Sequence, residues 1–292
     1  MTVLVNLIVT LGMLAVVPAG LRLIAPAGPG PATGPHAPAD PDRLRALARI
    51  WPLLAAPGAV CLWLPRGAAA TALAVLYAAA TAGLALRAPA RLLRSRSLAP
   101  PEIAVLTALC SPAVAGTALV AERAGYELFG FELDILALTV PHFHFAGFAA
   151  ALVAGLVCRA ARPGPGAHRA AYSVPAGTLL VLAGYFVDDW AELAGAVVLT
   201  AGMWAVALLT WREIRPGVRG RTVRALLAVS AAVLVATMLL ALWWALGEAT
   251  GVVHPTLTWM AATHGLGNAL GFAVCSLLAW HRLTRDRKEI LR

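Results

Sequence analysis

The sequence predicts an all-α fold, a polytopic transmembrane helical bundle of about nine spans. Of the 292 residues, 60% are hydrophobic and only 13% are charged, and the mean hydropathy is +0.79. Soluble globular domains carry about 25% charged residues, and a water-soluble core of this length cannot bury so much apolar surface. Apolar runs of about 20 residues, the length that crosses a bilayer, recur along the chain. A soluble enzyme, a nucleic-acid-binding protein and a disulfide scaffold are therefore excluded.

The apolar runs divide the chain into nine spans within a single transmembrane domain, 1–292. The spans cover residues 2–22, 48–65, 67–87, 102–121, 134–158, 173–190, 191–211, 223–247 and 256–280. The first run has no basic leader and no cleavage site of small residues, so we expect a retained helix. A segment rich in proline and glycine at about 25–43 predicts a flexible cytoplasmic loop.

The basic residues segregate to one side of these spans. Of 23 basic residues, 21 fall on the side that holds the C-terminal tail, and only Arg66 and Arg123 fall on the other. Because basic residues accumulate on the cytoplasmic side, the N-terminus is predicted outside and the C-terminus inside. We expect a multi-pass protein in the cytoplasmic (inner) membrane of a bacterium, in contact with the lipid bilayer. The sequence carries no signal of oligomeric state.

The predicted outer side is acidic, and some of its carboxylates lie in apolar surroundings. Asp188, Asp189 and Glu192 sit in a tight turn between two apolar spans. Ionisable groups within spans are costly and usually face a bundle interior or a cavity. These three residues are therefore candidate proton donors, and repulsion would keep one of the adjacent aspartates protonated if both are buried. The alternative is an acidic rim, including Glu122 and Glu248, that merely follows the topology.

Histidines lie inside two spans that enter from the outer side. His142 and His144 are in the fifth span, and His264 is in the ninth at a similar depth. Asn268 lies one turn below His264 on the same helix face. The matched depth predicts one cavity, open to the outside, in which these groups lie within about 10 Å of Asp188 or Asp189. A helix–helix hydrogen bond is the alternative reading of a histidine in a membrane span.

We expect no cofactor and no bound metal at these histidines. On a helix, positions i and i+2 point about 200° apart, so His142 and His144 do not converge on one ion. A local break at Pro141 would let them converge, with His264 as a third ligand. A single ring that acts as acid or base fits the helix geometry better, and which of the two faces the cavity is left open.

Polar and aromatic residues of the outer half are candidates to bind a lipophilic small-molecule ligand. Aromatic side chains in this region can line a pocket for such a ligand, and amides can orient it. The candidate substrate-binding residues are Asn6, Tyr185, Trp259 and Asn268.

The strings PHFHFAGF at 141–148 and THGLGNALGF at 263–272 resemble the YndJ-like family of bacterial integral membrane proteins. The resemblance extends over about the last two-thirds of the chain. Members of that family are often labelled transporters. The resemblance implies that His142, His144, His264 and Asn268 are a set of polar residues common to the family. It does not imply what these residues do.

Three functions remain open, and the sequence favours the first. A membrane-embedded enzyme would use a carboxylic acid as donor and a histidine as base, with Asp188, Asp189 and Glu192 as acids. It would isomerise, cyclise or hydrolyse a lipophilic small molecule, or open an epoxide. A proton-coupled small-molecule transporter would use the same titratable groups, but no internal repeat is visible and the polar residues occupy only the outer half. A structural subunit with a polar core is the third possibility.

The charge segregation makes a topology prediction. Single cysteines placed after residue 281 should be protected from membrane-impermeant thiol reagents in intact cells, because the basic tail is cytoplasmic. Cysteines at Glu127 and Gly251 should be labelled. Labelling of the tail in intact cells would contradict the predicted orientation.

Overall fold

The computed structural model describes residues 2–24 and 40–290, and its regular structure in these ranges is helical, with no strand. Nine long helices follow one another: α1 Val3–Leu23, α2 Arg43–Cys61, α3 Ala68–Ser95, α4 Pro100–Ala124, α5 Leu133–Ala160, α6 Pro165–Gly184, α7 Asp189–Gly217, α8 Arg221–Thr250 and α9 Leu257–Asp286. Eight of these described helices, all except α6, are long and apolar enough to cross a membrane. The predicted class, a polytopic helical membrane protein, is confirmed.

Helix α6 occupies the place of the predicted span 173–190. It begins earlier, at Pro165, and ends at Gly184. Its first turns carry the exposed residues His168 and Arg169, which lower its hydropathy. It ends early because the chain turns before Asp188, whose carboxylate accepts a hydrogen bond at 2.8 Å from the backbone N–H of Ala191 and caps α7.

The predicted flexible loop at about 25–43 lies mostly outside the described residues. Only its end is described, where Asp40 begins the helix that continues into α2.

By its internal contacts the chain divides into two compact units, which the sequence pattern did not indicate. The N-terminal unit comprises Thr2–Leu98 and Val105–Ala149. The C-terminal unit comprises Ala99–Ala104 and Ala150–Arg292.

In the N-terminal unit, polar side chains join α1 to α2 and the turn that follows it. The amide of Asn6 donates to the carbonyl of Leu62 at 2.8 Å. The indole N–H of the fully buried Trp51 donates to the carbonyl of Met13 at 3.0 Å. Hydrocarbon offers no hydrogen-bond partner, so these contacts satisfy groups that would otherwise destabilise the packing.

In the C-terminal unit, α6 and α7 are the most extensively packed pair among the described helices. Glycines make this close approach possible. A Cβ atom at Gly177 would collide with the backbone of Leu199, and one at Gly195 would lie 2.5 Å from the backbone nitrogen of Val181. Small residues at such crossings let membrane helices gain van der Waals contact along their backbones.

The α6–α7 contact predicts a stability effect for Gly177→Ala. The added methyl group forces the two helices apart, and overpacking of this kind costs about 1–3 kcal/mol. We expect the midpoint of thermal unfolding in detergent to fall by roughly 3 to 10 °C.

Gly166→Ala is the matched control on the same helix. A Cβ atom there meets nothing within 4 Å, and alanine favours a helix over glycine by about 1 kcal/mol. The control should therefore be neutral or slightly stabilised. Equal midpoints for the two variants would contradict the packing argument.

Candidate functional site

His144 and Tyr77 form a fully buried pair in the N-terminal unit. The Tyr77 hydroxyl lies 2.5 Å from Nε2 of His144, and Nδ1 lies 2.7 Å from the carbonyl oxygen of Val140. A carbonyl can only accept, so Nδ1 carries the hydrogen. In the neutral ring Nε2 is then the acceptor, and Tyr77 donates to it. Neither His144 nor Tyr77 has any exposed surface.

Two glycines enclose this pair. A Cβ atom at Gly12 would lie 2.9 Å from Cβ of His144, and one at Gly58 would lie 2.6 Å from Cγ of Tyr77. Helices α1 and α2 therefore approach the two rings too closely for any larger residue. Both Gly12 and His144 lie in π-helical stretches, Gly12–Val16 and Phe143–Ala150, a rare geometry that is frequent at functional sites.

A second histidine network lies between α8 and α9 in the C-terminal unit. Nδ1 of His264 donates to the carbonyl of Thr237 at 2.7 Å, and the Asn268 amide donates to Nε2 at 3.1 Å. The Thr237 hydroxyl donates to the Asn268 carbonyl oxygen at 2.7 Å, which closes the ring of bonds. We call Thr237, His264 and Asn268 the His264 network. His264 and Asn268, which the sequence places one turn apart on the same helix face, are in hydrogen-bond contact.

The two histidines differ in access. His144 is sealed by Tyr77, Val140 and Gly12, whereas His264 is only half-buried. Both have Nδ1–H committed to a backbone carbonyl, which leaves Nε2 as the basic nitrogen. Of the two histidines, His264 is the one that keeps part of its surface exposed.

A carboxylate cluster lies at the beginning of α7 in the same unit. Glu192 is buried, with 7% of its surface exposed, and it shares a hydrogen bond with the hydroxyl of Tyr185. Asp189 and Glu248 are its charged neighbours. Burial of the phenol and the adjacent Glu192 carboxylate raise the pKa of Tyr185, so the hydroxyl stays protonated and can donate.

The aspartate pair is exposed. Asp188 uses its carboxylate to cap α7, and Asp189 occupies the exposed first turn. Repulsion would keep one of the two aspartates protonated only if both were buried. Because both are exposed, this condition is not met. Glu192 is the buried carboxyl among the three predicted acids.

The remaining predicted site residues have separate surroundings. His142 is half-buried and makes an edge contact with the ring of Phe143. Asn6 donates a hydrogen bond to the carbonyl of Leu62, and Trp259 is 45% exposed.

The helix continues through Pro141, so the local break that would bring His142 and His144 together is not present. Among the described residues, no group of three or more His, Cys, Asp or Glu side chains is placed to hold a metal ion.

Glu122 is not a solvated rim residue. Its side chain is 2% exposed, accepts from Arg66 at 2.9 Å, and is ion-paired with Arg123. Arg123 also donates to the carbonyls of Cys61 and Leu64 at 3.4 and 3.3 Å. The only two basic residues on the predicted outer side thus bind one buried carboxylate and hold the turn between α2 and α3.

The predicted site residues are distributed over both units. His142, His144 and Asn6 belong to the N-terminal unit. The other seven belong to the C-terminal unit, namely Tyr185, Asp188, Asp189, Glu192, Trp259, His264 and Asn268. A single cavity shared by His144, His264 and the aspartates stays a prediction.

Sequence reasoning missed Tyr77 and Thr237. Tyr77 lies in the run ALAVLYAAATAGL, which reads as an ordinary apolar span. A tyrosine in the middle of such a run needs a partner for its hydroxyl, and this signal could have identified it. Thr237 gave no signal, because threonines in membrane helices usually bond their own backbone.

These features define the class of the protein: a polytopic α-helical membrane protein with histidines in hydrogen-bonded networks inside its spans. The family model described as YndJ-like protein matches residues 7–272. The chain belongs to the YndJ-like family. The predicted resemblance to this family is confirmed, and the match extends beyond the last two-thirds of the chain.

A relative in Bacillus subtilis (strain 168) carries the description "Uncharacterized membrane protein YndJ". It is 27% identical to this chain over 184 residues, which are 61% of this chain and 32% of the relative. The match thus spans about a third of the length of that relative. No solved structure matches the chain at a significant level.

The Tyr77–His144 pair predicts a stability effect for Tyr77→Phe. The substitution leaves Nε2 of a fully buried imidazole without its donor, which costs about 1–3 kcal/mol. We expect a lower midpoint of thermal unfolding in detergent. Tyr126→Phe, at a residue 62% exposed, removes a hydroxyl without this cost and is the control. A Tyr77→Phe protein as stable as the wild type would show that the bond contributes nothing.

Proposed function

We propose that this protein is an enzyme of a bacterial cytoplasmic membrane that performs acid–base chemistry on a lipophilic small molecule. Isomerisation, cyclisation, epoxide opening and hydrolysis are the reaction types that such groups catalyse without a cofactor. The observation that carries the proposal is the His264 network, a half-buried imidazole inside a membrane span with a fixed tautomer.

In this proposal His264 is the base. The bond from Nδ1 to the Thr237 carbonyl holds the ring in place and stabilises the imidazolium that forms when Nε2 takes up a proton. Asn268 bonds Nε2 at 3.1 Å in the free protein, and its amide is then available to orient a polar group of the substrate. The Thr237 hydroxyl fixes which end of the amide faces the histidine.

Glu192 is the proposed acid. Its carboxyl is buried, which excludes water from competing for the proton, and Tyr185 lies against it as a second donor. The exposed aspartates lack this shielding. Thr237 and Glu248, which mark the two clusters on α8, are separated by about 16 Å along the helix. The proposal therefore assigns base and acid to different points of an elongated lipophilic molecule, as in a cyclisation that begins at one end.

His144 has a positioning role in this proposal. Its ring is enclosed on all described sides and its two nitrogens are occupied by Tyr77 and Val140. Because His144 has no access to substrate, it cannot exchange a proton with the substrate. Its bond to Tyr77 instead holds α3 and α5 in register.

The test compares lipid extracts of membranes from a bacterial host that lacks a relative of this chain. Wild-type protein should convert one lipophilic species into an isomer, into a product heavier by one water, or into two fragments whose masses sum to the substrate plus one water. His264→Gln and Glu192→Gln should slow this conversion by a factor of about 10² to 10⁴, as expected for loss of a general base or acid. Mass spectrometry of the extracts against time measures the rate.

His168→Gln is the matched control, because His168 is exposed on the first turns of α6. It should convert at the wild-type rate. Conversion at the wild-type rate by both His264→Gln and Glu192→Gln would remove the proposed mechanism.

A proton-coupled transporter is the second candidate, and one observation favours it. His264 and Asn268 lie in π-helical stretches, Ala261–Gly265 and Gly267–Val274. Transporters often bind substrate and coupling ions where membrane helices depart from regular geometry. Substrate-dependent acidification inside sealed vesicles that carry a trapped pH-sensitive dye, with no chemical change in the substrate, would support this candidate over the enzyme.

A further inference from the structure

An apolar groove runs along the surface of the C-terminal unit between α7 and α8. It has a volume of 460 Å³ and is lined by Trp204, Leu208 and Trp211 of α7 and by Ala232, Val235 and Leu239 of α8. Trp211 and Leu239 are about half exposed. The groove follows α8 for about 10 Å within a membrane-spanning segment.

One end of the groove is basic. The guanidinium of Arg215 lies over the ring of Trp211, 4.3 Å from its centroid. Residues 212–224 contain five arginines and a single acidic residue, Glu213. Glu213 is occupied by Arg162, whose backbone N–H it accepts at 2.8 Å and whose side chain lies 3.8 Å away. The one acidic residue of this segment therefore already has a cationic partner.

Arg215 also retains an unused donor. Its Nε atom is buried and has no hydrogen-bond partner among the described residues. A buried N–H without a partner is costly, and such groups are usually satisfied by a bound molecule or water. Arginine that stacks on an aromatic ring suits phosphate, because its planar group can still donate in a bidentate manner.

We propose that this groove binds one anionic phospholipid from the cytoplasmic leaflet. An acyl chain lies between Trp204 and Trp211, and the phosphate lies at Arg215. Basic pockets between membrane helices on the cytoplasmic side suit anionic head groups. Charge complementarity selects an anionic lipid over a zwitterionic one, and the stack of Arg215 on Trp211 places the phosphate at the mouth of the groove. The lipid site is separate from the His264 network and does not depend on the proposed reaction.

Native mass spectrometry of the delipidated full chain in detergent tests the proposal. Phosphatidylglycerol should bind at least tenfold more tightly than phosphatidylcholine with the same acyl chains. Arg215→Gln should weaken phosphatidylglycerol binding about tenfold, and Arg215→Lys, which keeps the charge but not the planar group, about threefold. Ala232→Phe, which fills the groove, should also weaken binding about tenfold.

Arg219→Gln removes the same charge four residues further on, at an exposed position in the loop after α7, and is the matched control, with less than a twofold effect expected. Equal losses for Arg215→Gln and Arg219→Gln would overturn the proposal in favour of general charge attraction. Undiminished binding by Ala232→Phe would show that no acyl chain occupies the groove. Displacement of phosphatidylglycerol by millimolar inorganic phosphate would indicate a site for a soluble anion instead. A thermal midpoint within a few degrees of wild type confirms that each variant is folded.

Discussion

A polar group inside a hydrocarbon layer must find its partner within the protein, and this constraint organises the whole structure. It explains why the Tyr77 hydroxyl faces His144, why Asn268 closes a ring with His264, and why Trp51 reaches the backbone of α1. It also explains the two basic residues on the predicted outer side. Arg66 and Arg123 both pair with the buried carboxylate of Glu122.

Satisfying these groups requires helices to approach closely, and glycine provides the space. The rings of His144 and Tyr77 occupy the positions that side chains at Gly12 and Gly58 would fill. The α6–α7 hairpin depends on glycines in the same way. Polar pairing and small residues therefore act together: the hydrogen bond specifies which helices meet, and the missing side chain sets how near they come.

The two histidines of the family strings have similar bonds but different access. His144 has both ring nitrogens occupied in a fully enclosed site, which suits a role in holding helices. His264 has the same kind of backbone anchor, but it is half-buried and its second partner is the side-chain amide of Asn268. Residue type and predicted depth in the membrane are alike in the two cases. The two histidines differ in burial, and this difference assigns the proposed chemistry to His264 in the C-terminal unit, the unit that also contains Glu192.

The sequence by itself determined the class, the number and order of the long helices, and the position of Asn268 one turn from His264 on the same helix face, because hydropathy and helical spacing are local properties. It could not determine that Tyr77 meets His144, that Thr237 completes the His264 network, or that Glu122 is buried between two arginines. Apart from the adjacent pair Glu122–Arg123, these contacts join residues 27 to 67 positions apart. Only the packing of whole helices decides which distant residues meet, and so tertiary structure alone distinguished an enclosed histidine from an accessible one.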